Sequence, residues 1–379
     1  MDVAKPKPSL SIVVPTYREA ENLPELVKRI ERVGQEHGLT VEVLIMDDDS
    51  RDGTEEAVAA LGRPWVRLVV RTANRGLSPA VLDGFALAQH DVFAVMDADL
   101  SHPPEKLPEL VEALEEGADF ALGSRYIEGG STDEDWGLLR AINSRVATLL
   151  ARPLTSVRDP MSGFFAFRRE VYENAAPLNP VGYKIGLEML VKGGCTRARE
   201  VPIHFSQRRH GTSKLSLAEQ LRYLQHLRRL FVFRYGNWAH FFQFAAVGFS
   251  GTIVNLAILT VLVWVGVRAE IAMIPAIFVS MLSNFALNRR FTFSYARTGN
   301  LWRQLVGFIG ASSIGMGVNY VTAVTVLHAW SALERVPQVA SMAGILAGLI
   351  FNYMASRYFV FVKPRREEVR GRDEGQLHE

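Results

Sequence analysis

The sequence predicts two architectures in one chain: an α/β domain on a mostly parallel sheet, followed by an all-α domain of four membrane-crossing helices. Between residues 9 and 100, β-branched runs that end in polar residues alternate with stretches of amphipathic-helix spacing. From about residue 240 to 362, long and nearly uncharged apolar segments take over. Those apolar segments also repeat in pairs. The averages hide this division, because a hydrophobic share of 48% and a net charge of +2 would suit an ordinary soluble protein. At 379 residues the chain has room for a full catalytic domain and a second unit. A single cysteine, Cys195, excludes an intramolecular disulfide and fits a reducing compartment or a buried structural thiol.

In the first half, SLSIVVPTY (9–17) reads as a strand and EAENLPELVKRIERV (19–33) as an amphipathic helix. VEVLIMDDDS (41–50) is a second strand ending in carboxylates, and RLVVRT (67–72) and DVFAVMDADL (91–100) continue the pattern. A buried parallel sheet of this kind binds ligands beyond the carboxyl ends of its strands. The fold alone selects no reaction.

Two carboxylates, Asp97 and Asp99, sit two apart where an apolar strand opens into a loop. That spacing can hold Mg²⁺ or Mn²⁺ together with diphosphate oxygens, or it can cap the next helix. Upstream, Asp47, Asp48, Asp49 and Asp52 crowd one turn closed by Gly53. Four acids there repel one another unless some meet a ligand or a helix N-terminus. Asp52 is expected to cap a helix from Thr54, and Asp48 to face a base or ribose.

With VVPTYREAENL, MDDDSRDGT, NRG, MDADLSHPPE and GSRY in this order, the chain resembles the family 2 glycosyltransferases of GT-A fold. RDPMSGFFAFRR (158–169), PVGYKIGLEMLVKG (180–193) and RRHGTSKLSL (208–217) resemble the dolichol- or polyprenyl-phosphate mannose synthase branch. The resemblance implies that Pro15, Tyr17, Glu19, Met46, Asp48, Asp97, Ala98, Asp99, Arg125, Arg209 and Lys214 contact the nucleotide-sugar. It assigns Asp97, Asp99 and Ser101 to the metal, with serine standing where the family often has glutamine. Arg125, Arg140 and Ser144 fall to the acceptor phosphate, and Asp99, Arg125, Arg140 and Lys214 to catalysis. Arginine grips phosphate oxygens in pairs and lysine supplies a point charge, although Arg140 alone also fits a solvated helix face. The implied reaction moves mannose from GDP-mannose to dolichyl or polyprenyl phosphate with inversion. UDP-glucose or a UDP-N-acetylhexosamine is the alternative donor, and a flippase with a regulatory soluble domain is an alternative of another class. Intramembrane carboxylates or paired charges would favour the flippase, and the spans show almost none. No nucleic-acid partner is expected.

Apolar runs at about 241–265, 271–287, 304–327 and 337–355 approach the ~20 residues that cross a bilayer. GTIVN (251–255) is answered by GMGVN (315–319), and NFALNRRFTF (284–293) by NYMASRYFVF (352–361), so the unit is a two-helix hairpin repeated once. This part resembles the GtrA-like membrane domain. Arg289, Arg290, Arg297 and Arg303 lie between the hairpins, and Arg357, Lys363, Arg365 and Arg366 at or after the last span. That bias, with no signal peptide in the first residues, predicts a multi-pass protein whose catalytic domain and termini are cytoplasmic. Asn255, Asn284, Asn319 and Asn352 are either hydrogen-bonding glue between helices or the lining of a lipid path. Residues 138–154 and 215–238 carry leucines on one helical face with arginines around them, the pattern of helices at a membrane interface or packed on the core. The expected boundaries are 1–214 for the catalytic domain, 215–238 for interface helices, 239–363 for the membrane domain and 364–379 for a disordered tail.

Overall fold

The computed structural model describes residues 9–133, 138–179, 184–206, 217–330 and 337–362. The chain forms two compact units, Met1–Arg234 and Tyr235–Glu379. The first opens with β1 (Ser9–Thr16), α1 (Leu23–His37), β2 (Thr40–Asp47), α2 (Thr54–Leu61), β3 (Val66–Val70), α3 (Leu77–Leu87) and β4 (Val92–Val95). Then come α4 (Leu107–Glu115), β5 (Phe120–Ser124), β6 (Ser131–Thr132), α5 (Leu138–Ala151), β7 (Phe165–Arg168) and α6 (Arg169–Glu173). It closes with α7 (Ile185–Lys192), β8 (Ala198–Pro202), β9 (His204–Phe205) and α8 (Leu217–Tyr235).

The main sheet runs β3-β2-β1-β4-β7-β5-β8. All its pairings are parallel except those of β7, which lies antiparallel between β4 and β5. α1 shows how local sequence makes these elements. Pro24 opens it without losing a bonded N–H, Leu23, Leu26, Val27, Ile30 and Val33 form its buried stripe, and Gly38 ends it at φ 64°. α1 and α4 cover one sheet face. α3 and α7 cover the other, where Phe85, Phe93, Phe120, Phe165 and Phe167 fill the core.

Pro15 sits inside a central strand, where a missing N–H normally costs a ladder bond. Val13 O accepts from Met96 N and Thr16 O from Asp48 N, so residue 15 turns its backbone toward β4. The last pair with β4 is Val13–Val95, so Pro15 gives up no bond and β1 and β4 part beyond it. Five non-glycine residues at positive φ follow strand ends or lie in the loops beyond them: Arg18, Asp49, Arg51, Asn74 and Leu100. Such clustering of backbone strain marks the carboxyl edge of the sheet as the working edge.

α8 combines the two alternatives that its sequence pattern left open. Leu227 and Leu230 pack with Ala151, Leu154, Met161, Leu187 and Val191, and Tyr223 Oη donates to Ala147 O at 2.7 Å. One face of α8 therefore belongs to the catalytic unit. Ile142, Val146, Leu149 and Leu150 of α5 and Leu221, Leu224 and Phe233 of α8 remain exposed. Cys195 is half-buried, and burial pushes its thiol up to about 12. Alkylation by iodoacetamide at pH 8 is therefore expected to be at least about tenfold slower in the native protein than in the unfolded chain, read by mass spectrometry.

The second unit contains α9 (Asn237–Trp264), α10 (Ala269–Leu287), α11 (Leu301–Ala329) and α12 (Pro337–Ala355). Among the described residues three helices are long and apolar enough to cross a membrane: Asn237–Trp264, Ile271–Thr292 and Leu301–Ala329. α12, at 19 residues, pairs with α11 as α10 pairs with α9. The repeat is structural. A Cβ on Gly251 would strike the Asn284 side chain, and one on Gly315 would strike Asn352, so each glycine admits the asparagine of its hairpin partner. Each hairpin then ends in a π-helical turn, Asn288–Thr292 and Ser356–Val360, and the phenylalanines after them, Phe293 and Phe361, stack at 4.8 Å.

Candidate active site

The acidic turn after β2 is neutralised from within. Asp47 accepts from Ser50 N at 2.9 Å, and Asp52 accepts from Thr54 N at 3.2 Å and Ala20 N at 3.1 Å, so Asp52 holds the first N–H of α2 although Gly53 stands at the N-cap. Asp48 pairs with Arg71 and accepts from Gly76 N at 2.6 Å, while Asp49 pairs with Arg51 and Arg75. Arg71 and Arg75 stand in VVRT and NRG, and sequence reasoning passed over both. Tyr17, Arg18, Asp49, Ser50, Arg51, Asp52 and Arg75 line a cavity of about 550 Å³ above this turn. Tyr17 is 43% exposed with Arg18 over its ring. Asp48 lies buried beneath, Glu19 accepts from Asn22 Nδ2 at 2.6 Å, and Pro15 forms the adjoining strand end. Met46 and Ala98 are buried in the core, so only their backbones can reach a ligand.

A second cluster stands at the ends of β4 and β5. Asp99 is buried, and its Oδ1 accepts from both the N–H and, at 2.5 Å, the hydroxyl of Ser101. Ser101 thus orients Asp99. Asp97 keeps a quarter of its side chain exposed, and its N–H donates to His102 Nδ1 at 3.0 Å. That bond leaves His102 with its proton on Nε2, its ring stacked on Phe164. A Cβ at Gly163 would come within 3.3 Å of His102 Cε1 and 3.6 Å of Asp97 Oδ2, so this glycine keeps one side of Asp97 clear.

Arg125 forms a bidentate pair with fully buried Asp159, Nε to Oδ2 at 2.7 Å and Nη2 to Oδ1 at 2.8 Å, and packs on the rings of Tyr126 and Phe205. Glu200 accepts from the N–H groups of Arg158 and Asp159 and so fixes that loop. Lys184 donates to Met161 O at 3.2 Å, and burial, reinforced by Arg125, lowers its pKa to about 8 against the opposing pull of Asp159 and Asp97. Asp159 and Lys184 stood in quoted motifs without a role. For Lys184 the signal was a lone cation in a largely apolar run, whereas Asp159, beside Arg158, carried none. Ser144 on α5 bonds Tyr126 Oη at 2.7 Å. Arg140 belongs to the same helix, its side chain outside the described residues, as are Arg209 and Lys214.

An α/β sheet of this order, with two carboxylates after its fourth strand and the partly buried cations Arg125 and Lys184 in the same unit, defines a GT-A-type glycosyltransferase attached to a helical membrane domain. The profile "Glycosyl transferase family 2" matches residues 11–175, and "GtrA/DPMS, transmembrane domain" matches residues 243–369. The chain is 40% identical over 354 residues to a dolichol-phosphate mannosyltransferase of Pyrococcus furiosus, covering 92% of this chain and 98% of that one. It is 43% identical over 236 residues to the dolichol-phosphate mannosyltransferase of Saccharomyces cerevisiae, covering 60% of this chain and 88% of that one. A solved glucosyl-3-phosphoglycerate synthase from Mycobacterium tuberculosis overlaps 60% of this chain and 80% of its own at 23% identity, TM-score 0.47. The chain belongs to the dolichol-phosphate mannosyltransferase family.

Proposed function

We propose that this protein transfers mannose from GDP-mannose to dolichyl or another polyprenyl phosphate, inverting the anomeric centre, at the cytoplasmic membrane face. The observation that carries the reading is the strand-end constellation of Asp97 and Asp99 with Arg125 and Lys184, in a chain of this family. The hard carboxylate oxygens of Asp97 and Asp99 suit a divalent cation, and Gly163 leaves Asp97 room for one. Bound there, Mg²⁺ or Mn²⁺ would supply charge neutralisation for the diphosphate and the departing nucleotide. Ser101 holds Asp99 in place and has lone pairs left for the metal or its water.

A phosphate monoester has its second pKa at about 6, so at neutral pH the acceptor is already largely a dianion and needs no general base. The protein's task is to bring two anions together in line. Tyr17 lines the nucleotide cavity, with Pro15 at the adjoining strand end and Asp48 buried beneath, while Arg125, Arg140, Arg209 and Lys214 hold phosphates, with Ser144 beside the acceptor through Tyr126. Residues 1–214 do the chemistry and the helices of 239–363 anchor it. The outward apolar residues of α5 and α8, with exposed Arg145, Arg152 and Arg222, suit a leaflet surface from which a lipid phosphate is presented.

Purified protein offered GDP-mannose, UDP-glucose and UDP-N-acetylglucosamine with a polyprenyl phosphate should form product from GDP-mannose alone, with β configuration by NMR. Product from a UDP-sugar instead would overturn the donor assignment. Lys184 adds a pH signature, being cationic below about 8 and neutral above it. Calorimetric affinity for GDP-mannose is expected to weaken on the order of tenfold from pH 7 to 9, and Lys184→Met to abolish that dependence.

A further inference from the structure

The loop joining the two membrane hairpins encloses a cavity of about 220 Å³ lined by Phe285, Ala286, Arg289, Arg290, Arg297 and Leu301. Half of that lining is guanidinium-bearing and half apolar. Arg289 is held rigidly: its Nε donates to Gln304 Oε1 at 2.8 Å, and its Nη2 to the carbonyls of Arg297 at 2.5 Å and Gly299 at 3.3 Å. Gln304 is itself buried and anchored by its Nε2 on Ala296 O at 2.8 Å.

None of the three arginines pairs with a carboxylate among the described residues. Between residues 236 and 362 the chain has only two acids, Glu270 and Glu334. Glu270 stands at the start of α10, whose 19 residues put it roughly 28 Å from the arginine end, and Glu334 lies outside the described residues. Three cations converge on this cleft, and none of them meets a carboxylate of their own unit among the described residues.

The repeat supplies an internal comparison. Arg357 occupies the place of Arg289 in the second π-helical turn, but it donates to Asn237 Oδ1 at 2.6 Å and Tyr353 Oη at 3.1 Å. Tyr358 stands where the first hairpin has Arg290. The turn therefore forms without a cluster of arginines, and the surplus in the first hairpin is not needed to build it. A guanidinium grips phosphate oxygens in pairs, and basic clefts between membrane helices meet the headgroups of anionic lipids.

We propose that Arg289, Arg290 and Arg297 form a binding site for the phosphate of a lipid, with Phe285 and Leu301 against the first carbons of its chain. The phosphate belongs either to a membrane phospholipid or to a polyprenyl phosphate, and the test separates the two. The full chain, delipidated in detergent, is titrated with phosphatidylglycerol, a polyprenyl phosphate or diacylglycerol, and bound equivalents are counted by native mass spectrometry. Arg290→Gln/Arg297→Gln removes two exposed charges and leaves the Arg289 anchor intact, and Arg357→Gln is the matched control. The double variant should lose one bound equivalent of phosphate lipid, with about tenfold weaker binding. Arg357→Gln should bind as wild type does, and diacylglycerol should bind weakly to all three. The lipid whose equivalent is lost identifies the source. Unchanged binding of both phosphate lipids in the double variant, or diacylglycerol binding as tightly as they do, would overturn the proposal.

Discussion

Replacing Asp99 with asparagine should lower the rate of sugar transfer by about 10³-fold, near 4 kcal/mol of transition-state stabilisation, while the protein stays folded. Asparagine has the same shape and can still accept from the Ser101 N–H and hydroxyl at Oδ1, so the buried geometry survives. What is lost is the negative charge that a divalent cation needs. Asp97→Asn should act in the same direction, because its carboxylate borders the space that Gly163 leaves open. Wild-type enzyme with excess chelator should match the Asp99 variant, and added Mn²⁺ should rescue the wild type only. Initial rates with labelled donor, alongside thermal melts, would decide the matter. Activity above a tenth of wild type in Asp99→Asn, or insensitivity to chelator, would remove the metal from the account.

The second large effect concerns Asp159. Its removal strands Arg125, whose side chain is only 9% exposed. Breaking one side of such a buried pair costs about 3 to 5 kcal/mol, so Asp159→Ala should lower Tm by roughly 10 °C. Replacing both partners separates structure from chemistry. Arg125→Met/Asp159→Leu should regain most of the lost stability, since apolar residues of similar volume substitute well for buried ion pairs. It should nonetheless remain inactive, because the guanidinium proposed to hold phosphate is gone. An active double variant would reduce Arg125 to a packing residue.

The fold was legible wherever the signal is local. Strands ending in MDDDS and MDADL declared a parallel sheet with a polar carboxyl edge, and the paired NFALNRRFTF and NYMASRYFVF declared the hairpin repeat. Partnerships between distant segments were not legible. β7 reads as a short apolar run, and nothing in FAFR says that it enters the sheet antiparallel between β4 and β5. Likewise the acidic turn looked poised for a ligand because Arg71 and Arg75, its neutralising partners, lie 23 and 26 residues from the aspartates they meet. α8 carries leucines enough for two faces, one spent on Leu187 and Val191 and the other left outward, and periodicity cannot apportion them. In each case the missing information was tertiary.

The central claim is best tested by one incorporation experiment. Full-length protein in detergent receives GDP-[¹⁴C]mannose and a polyprenyl phosphate with Mg²⁺ or Mn²⁺, and label is counted in the organic phase. Lipid-extractable mannose should appear, be released by mild acid, and vanish without acceptor, with chelator or in Asp99→Asn. Absence of lipid-linked label, in protein that binds GDP-mannose normally, would contradict it.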